Sequence, residues 1–183
     1  MSRVYEDAWA NPSSPHEPGR RASQALEQAR HQVGQYLGRP FTEITFTSGA
    51  TESNAWALGT DIPGHTGRRI VSAIEHPSVL AWADQHVKVD PQGRVCIDHL
   101  RDLLNEYQGK IGIVSVMAAN NETGVLQPVE AIAEACAQAG VLFHCDATQV
   151  PGRWHMDLTL PDLLDLAILD PIPNSLPATS KEF

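Results

Sequence analysis

The segment from Lys110 to Ala147 reads KIGIVSVMAANNETGVLQPVEAIAEACAQAGVLFHCDA. Lys110 to Met117 is a short apolar, β-rich run, Val129 to Ala139 follows a helical pattern, and Val141 to Ala147 is β-rich again. A strand, a helix and a strand in succession predict one step of a parallel α/β layer. The same alternation continues towards the N-terminus. Further β-rich runs lie at Glu43 to Thr47, Arg69 to Ala73 and Val87 to Asp90, with helical patterns over Thr51 to Gly59, Ser78 to His86 and Asp98 to Tyr107. Strands and helices taking turns imply an α/β fold built on a mainly parallel sheet with helices on both faces.

Ahead of this alternation, Ala22, Ala25, Leu26, Ala29, Val33, Tyr36 and Leu37 recur at three- and four-residue spacing, which predicts an amphipathic helix from Arg20 to Leu37 stopped by Gly38. At the other end, Pro171, Pro173 and Pro177 fall within Asp170 to Phe183, so a loose, exposed tail is expected there. The chain divides on this reading into an extended N-terminal segment, 1–18, a main domain, 19–169, and a Pro-rich tail, 170–183.

With 183 residues, 42% of them hydrophobic, the chain is long enough for one domain with a real core. A net charge of -9 argues against nucleic acid as a partner, since a phosphate backbone demands clustered Lys and Arg. Cys96, Cys136 and Cys145 are too few and too scattered for a disulfide framework or a metal site, which fits a reducing cytoplasm. No apolar run reaches the roughly 18 residues of a membrane span, and Met1 to Pro18 is polar rather than signal-like. Neither membrane nor export is therefore expected.

In open α/β sheets ligands sit outside the carboxyl ends of the strands, so the turns after each strand are where chemistry is sought. Thr47-Ser-Gly-Ala-Thr-Glu52 runs from a strand into a helix start, where small residues and free amides can cradle phosphate oxygens. The plainer alternative is a capped helix, with Ser48 or Thr51 satisfying those amides and Glu52 favouring the dipole. His76, between Glu75 and Pro77, could lie flat on a planar ligand or simply cap the next helix. Asn120-Asn-Glu-Thr-Gly124 offers two amides to a ligand's oxygens, or forms a turn. Within His144-Cys-Asp-Ala-Thr-Gln149, His144 and Asp146 share one face of a regular strand and Cys145 takes the other. A carboxylate at that strand end can keep a pyridine nitrogen protonated, or cap its own turn. Metal-assisted hydrolysis by His76, His144 and Asp146 has no ligand spacing behind it, and no metal is expected.

These segments, together with Asn11-Pro-Ser-Ser-Pro-His16 and Gly19-Arg20, resemble the cysteine desulfurases, the NifS-like branch of the class V aminotransferases. The resemblance runs from Asn11 to about Leu169. It implies a part of the large domain of a pyridoxal phosphate-dependent transferase, with three αβα layers. It also implies that Ala50 and Thr51 hold the cofactor's phosphate and that His76 stacks on its ring as the one catalytic candidate. Asn121 then lies beside the phenolate oxygen and the substrate, Asp146 pairs with the pyridine nitrogen, and Gln149 bonds the phenolate oxygen. The resemblance further implies a homodimer that moves sulfur from L-cysteine onto an active-site cysteine, with release of L-alanine, and passes that sulfur to an acceptor protein for iron-sulfur cluster or thio-cofactor assembly.

The chain also departs from the pattern. A Ser-x-His-Lys segment, whose lysine holds the cofactor covalently, is expected after Leu166 to Leu169, and the sequence there is Asp170-Pro-Ile-Pro173. Lys181 falls eight residues later. None of the three cysteines matches the family's nucleophilic loop, and its small domain is missing. The expectation is a truncated desulfurase that is inactive alone, from a frameshift, an early stop or a gene fragment, with sheet edges open to other chains. A non-catalytic domain that binds a ligand or pairs with a full-length relative is the alternative.

Overall fold

A computed structural model describes residues 6–60, 62–153 and 166–168. The Pro-rich tail, with Asp170–Pro173 and Lys181, lies outside the described residues, as do residues 1–5. The chain divides into two compact units, Met1–Phe46 and Thr47–Phe183.

The first unit is built on helix α1, Glu17–Leu37, which begins three residues before the periodic pattern. Its start is set by capping. The Nδ1 of His16 accepts the amide of Gly19 at 3.1 Å, and Pro18 occupies the first turn, where its missing N–H costs nothing. Gly38, at φ 64°, ends the helix in the left-handed conformation that a side chain would oppose. The strand expected at Glu43–Thr47 does not form. A 3₁₀ turn, Phe41–Glu43, takes its start, and the Arg30 guanidinium bonds the carbonyl of Ile44 in place of a neighbouring strand. Arg30 also lies over the Phe46 ring, 5.4 Å from its centroid, so alternation here reflects side-chain packing without a ladder.

The second unit is the sheet. Its strands are β1 (Arg68–Ser72), β2 (Gln85–Val87), β3 (Ile111–Ser115), β4 (Leu142–Asp146) and β5 (Leu166–Ile168), in the order β2-β1-β3-β4-β5. Every pairing is parallel. The helices are α2 (Ala50–Gly59), α3 (Pro77–Leu80), α4 (Ile97–Glu106) and α5 (Val129–Ala139). Strand β3 is buried along its whole length, as its continuous apolar run requires of a central parallel strand.

On one face, Val71 and Ile113 of the sheet pack with Ala57 and Leu58 of α2 and Val79 of α3. Helices α4 and α5 pack on each other and against β2 and β4 to cover the other face, which completes the α/β arrangement. Gly140, at φ 65°, closes α5 and turns the chain at once into β4. Gly112 is the extra residue of a bulge, because Ile111 pairs with Arg68 and Ile113 already pairs with Arg69. A β-carbon on it would meet the His65 carbonyl at 2.7 Å.

The helix expected over Ser78–His86 stops after Leu80. The reason is Asp84, whose carboxylate accepts the Arg69 amide at 2.8 Å while its own amide bonds the Arg69 carbonyl at 3.0 Å. That exchange draws the chain onto the sheet, and β2 starts at Gln85 instead of Val87.

The chain leaves β1 towards β2 on one side and leaves β3 towards β4 on the other. Their carboxyl ends therefore bound a crevice at a topological switch point, where α/β sheets receive ligands.

Candidate functional site

A cavity of about 530 Å³ opens at this crevice. Ala50, Thr51, His76, Asn121, Asp146 and Gln149 all line it. Residues from the start of α2, from the ends of β1, β3 and β4 and from the turns after them thus meet in one place.

The start of α2 is open. Gly49 stands at its N-cap with no side-chain hydrogen bond, so neither Ser48 nor Thr51 caps the helix. The first-turn amides of a helix have no intrahelical partner, and they carry the positive end of its dipole. Glu52 turns back instead. Its Oε2 accepts the Ser48 amide at 2.7 Å and the Ser48 hydroxyl at 2.6 Å, and these two bonds lower the carboxyl's pKa. The loop is held by its own residues while Ala50 and Thr51 face the cavity.

At the end of β4, Asp146 is 6% exposed. Its Oδ1 accepts the Thr148 amide at 3.0 Å, and its Oδ2 accepts the Asn54 Nδ2 at 3.0 Å. A carboxylate has about four acceptor positions, so two donors leave capacity for a third. His144 lies on the same face of β4 and is fully buried. It does not line the cavity. Its Nδ1 is 2.7 Å from the Ser115 hydroxyl, and burial lowers its pKa to about 4 against a weaker opposing pull from Asp146. It is a neutral core histidine.

His76 is the N-cap of α3, and its Nδ1 accepts the Ser78 amide at 3.2 Å. Capping and cavity lining coexist in this residue, because the cap uses only one ring nitrogen. The two asparagines divide their work. Asn120 ties the turns together, its Nδ2 donating to the Ile74 carbonyl at 3.0 Å and its Oδ1 accepting the Thr123 amide at 2.8 Å. Asn121 lines the cavity. The Oε1 of Gln149 accepts from the Arg153 guanidinium, which leaves its NH₂ as the free part of that amide.

Two residues of the site have no assigned part in the sequence reading. Asn54, 1% exposed, stands on α2 between Asp146 and Ser78, and its place one helical turn after Ala50, two residues beyond the Thr47–Glu52 segment, is its signal in the sequence. Glu75, 5% exposed, lies beneath, with its Oε1 accepting from the Ser72 hydroxyl and from the Met117 amide at 2.6 Å. Burial raises its pKa to about 8; those two hydrogen bonds oppose the rise, and the charge of Asp146 adds to it.

All three thiols are free. Burial pushes Cys136 up to about 12 and raises Cys145 too, so neither supplies a thiolate near neutral pH. Among the described residues no group of three or more His, Cys, Asp or Glu side chains could hold a metal ion. No helix among them is long and apolar enough to cross a membrane.

Comparison with known proteins bears on the same region. The aminotransferase class-V family matches residues 1–163. A cysteine desulfurase of Azotobacter chroococcum mcd 1 is 39% identical over 167 residues, covering 86% of this chain and 41% of the relative. The cysteine desulfurase NifS of Azotobacter vinelandii is 37% identical over 170 residues, covering 86% and 42%. Among solved structures, a NifS-like protein from Rickettsia africae ESF-5 superposes with a TM-score of 0.78 at 32% identity, over 93% of this chain and 50% of that one. The chain spans less than half the length of the curated relatives it matches. With this match over nearly its whole length and a parallel sheet carrying the site at its switch point, the chain belongs to the aminotransferase class-V family.

Proposed function

We propose that this chain carries the cofactor-binding wall of a cysteine desulfurase, with pyridoxal phosphate as the cofactor. The observation that supports it best is the pairing of two opposite ends in one cavity: an uncapped helix N-terminus, suited to an anion, and a nearly buried carboxylate, suited to a cation. A phosphorylated pyridine whose ring nitrogen is protonated has both charges. The buried Thr148 Oγ1 and Asn54 Oδ1 have no hydrogen-bond partner among the described residues, and both residues line the cavity, which is consistent with a polar ligand there.

On this reading the amides of Ala50 and Thr51 bind the phosphate and His76 stacks on the ring. Asp146 holds a proton on the ring nitrogen, while Asn121 and the NH₂ of Gln149 donate to the phenolate oxygen. The bound cofactor supplies an electron sink beside the α-carbon of an amino acid. L-cysteine or a similar amino acid is the substrate of the whole protein, which acts as a homodimer and delivers sulfur to an acceptor protein. Residues 19–169 are part of the large domain.

We further propose that the 183-residue chain by itself does not turn cysteine over. The described residues lining the cavity include no lysine, and the segment where the family resemblance expects one reads Asp170-Pro-Ile-Pro173. Association with a full-length relative is the second reading, favoured by the same segment.

The test is a calorimetric titration of the purified chain with pyridoxine 5′-phosphate, which has no aldehyde to react with stray amines. Saturable binding that is lost with unphosphorylated pyridoxine is the expected result; equal binding of both, or of neither, overturns the cofactor reading. In parallel, pyridoxal phosphate and cysteine should yield no alanine. Alanine release above the protein-free rate would overturn the claim of inactivity.

A further inference from the structure

Asn54 and Ser78 join Asp146 to His76 through side chains alone. The Nδ2 of Asn54 is 3.0 Å from Asp146 Oδ2 and 3.1 Å from Ser78 Oγ, and Ser78 Oγ is 2.7 Å from His76 Nδ1. We infer that Asn54 and Ser78 are positioning residues, a relay by which the Asp146 carboxylate sets the tautomer and orientation of the His76 ring. This rests on the cofactor reading for its purpose, though not for its geometry.

The direction of every bond follows from the first. A carboxylate oxygen can only accept, so the Asn54 group facing Asp146 must be the NH₂. The opposite amide orientation would set two oxygens against each other about 3 Å apart, as the observed contact distance implies. Holding the NH₂ there leaves Asn54 Oδ1 buried without a partner among the described residues, so the carboxylate dictates the amide's orientation at the expense of its other end. The second Asn54 proton points to Ser78 Oγ, which therefore accepts. The Ser78 hydroxyl proton is then free for His76 Nδ1, which already accepts the Ser78 amide at 3.2 Å. With two donors on Nδ1, the ring proton belongs on Nε2 and the ring cannot flip without breaking both bonds.

The relay explains why a cap residue can serve a ligand. His76 is exposed, and an exposed imidazole on a short helix is free to rotate unless an edge is tied. Here the Nδ1 edge is tied twice, so one ring face stays available to the cavity in a single pose. Because Asn54 is itself buried, the anchor at the other end of the relay is rigid.

The test uses the full chain with ¹⁵N-labelled histidine, without and with pyridoxine 5′-phosphate. In the wild type, His76 should give one set of ring signals, with Nε2 protonated and Nδ1 shifted as a hydrogen-bonded acceptor. Ser78→Ala leaves only the residue-78 amide on Nδ1, so it should move the Nδ1 signal part of the way towards the value of an unbonded nitrogen. Ser78→Thr, which keeps the hydroxyl, should restore the wild-type signals. Ligand affinity should fall about three- to tenfold in Ser78→Ala, the range for one net hydrogen bond, and recover in Ser78→Thr. His76 signals in Ser78→Ala that superimpose on the wild type overturn the relay, even where the wild type binds the ligand. Should the wild type fail to bind while Ser78→Ala moves the signals, the cofactor reading falls and the relay stands.

Discussion

Replacing Glu75 with Gln should change how the chain's stability depends on pH. Two buried groups set that dependence in opposite directions. Glu75, raised from 4.5 to about 8 chiefly by burial, is protonated in the folded chain and ionised in the unfolded one between those values. Its stabilising contribution is complete below pH 4.5 and disappears as pH rises towards 8. His144, lowered from 6.5 to about 4 by burial, contributes fully above pH 6.5 and loses its contribution as pH falls towards 4. Between pH 4.5 and 6.5 the two slopes cancel, so stability is level there. From pH 6.5 to 8 Glu75 alone of the two acts. Over those roughly 1.5 pH units, at about 1.4 kcal/mol each, the chain loses about 2 kcal/mol. Glu75→Gln keeps an oxygen for the Met117 amide and the Ser72 hydroxyl and cannot ionise, so its stability should stay level above pH 6.5 and still fall towards pH 4. Urea unfolding at half-unit intervals from pH 4 to 8.5 measures both curves. A wild-type curve that is level from pH 6.5 to 8.5, or a variant that declines in parallel with the wild type, would show that Glu75 does not set the loss at high pH.

Asn54→Ala removes the donor that Asp146 and Ser78 share, and urea unfolding should report a loss of about 1–3 kcal/mol, the cost of leaving buried polar groups unpaired. Gly112→Ala forces a β-carbon to within 2.7 Å of the His65 carbonyl and 3.1 Å of the Gly67 nitrogen. Since both neighbours are backbone atoms that cannot rotate away, the same assay should show a loss of about 1–3 kcal/mol, whereas Gly109→Ala, with no atom near its β-carbon, should cost only what its φ of 70° imposes.

The fold was legible where an element's sequence period and its tertiary role agree. Val129–Ala139 has both the helical spacing and the buried face of α5, and the unbroken apolar run from Ile111 is what a fully buried parallel strand needs. It was illegible where a distant residue decides. Nothing in Glu43–Thr47 announces that Arg30 will take the Ile44 carbonyl, and nothing in Ser78–His86 announces that Asp84 will bond Arg69 across the sheet edge.

The site follows the same division. His76 and Asn121 stand in turns after strands and Asp146 ends β4, so sequence position marks these places as candidates, and the switch point brings them together with Ala50, Thr51 and Gln149. Local pattern could not separate Asn120, spent on its own turn, from Asn121. Nor could it single out Asn54, whose partner Asp146 is 92 residues away and whose importance lies in three-dimensional contact only.

In the proposed complex Asp146 keeps a bound pyridine nitrogen protonated. The ¹⁵N shift of ring-labelled pyridoxine 5′-phosphate bound to the chain tests it, at a pH where the free ligand's ring nitrogen carries no proton. A pyridinium shift with the wild type and an unprotonated shift with Asp146→Asn is the expected result; an unprotonated nitrogen in the wild-type complex would rule out this role for Asp146.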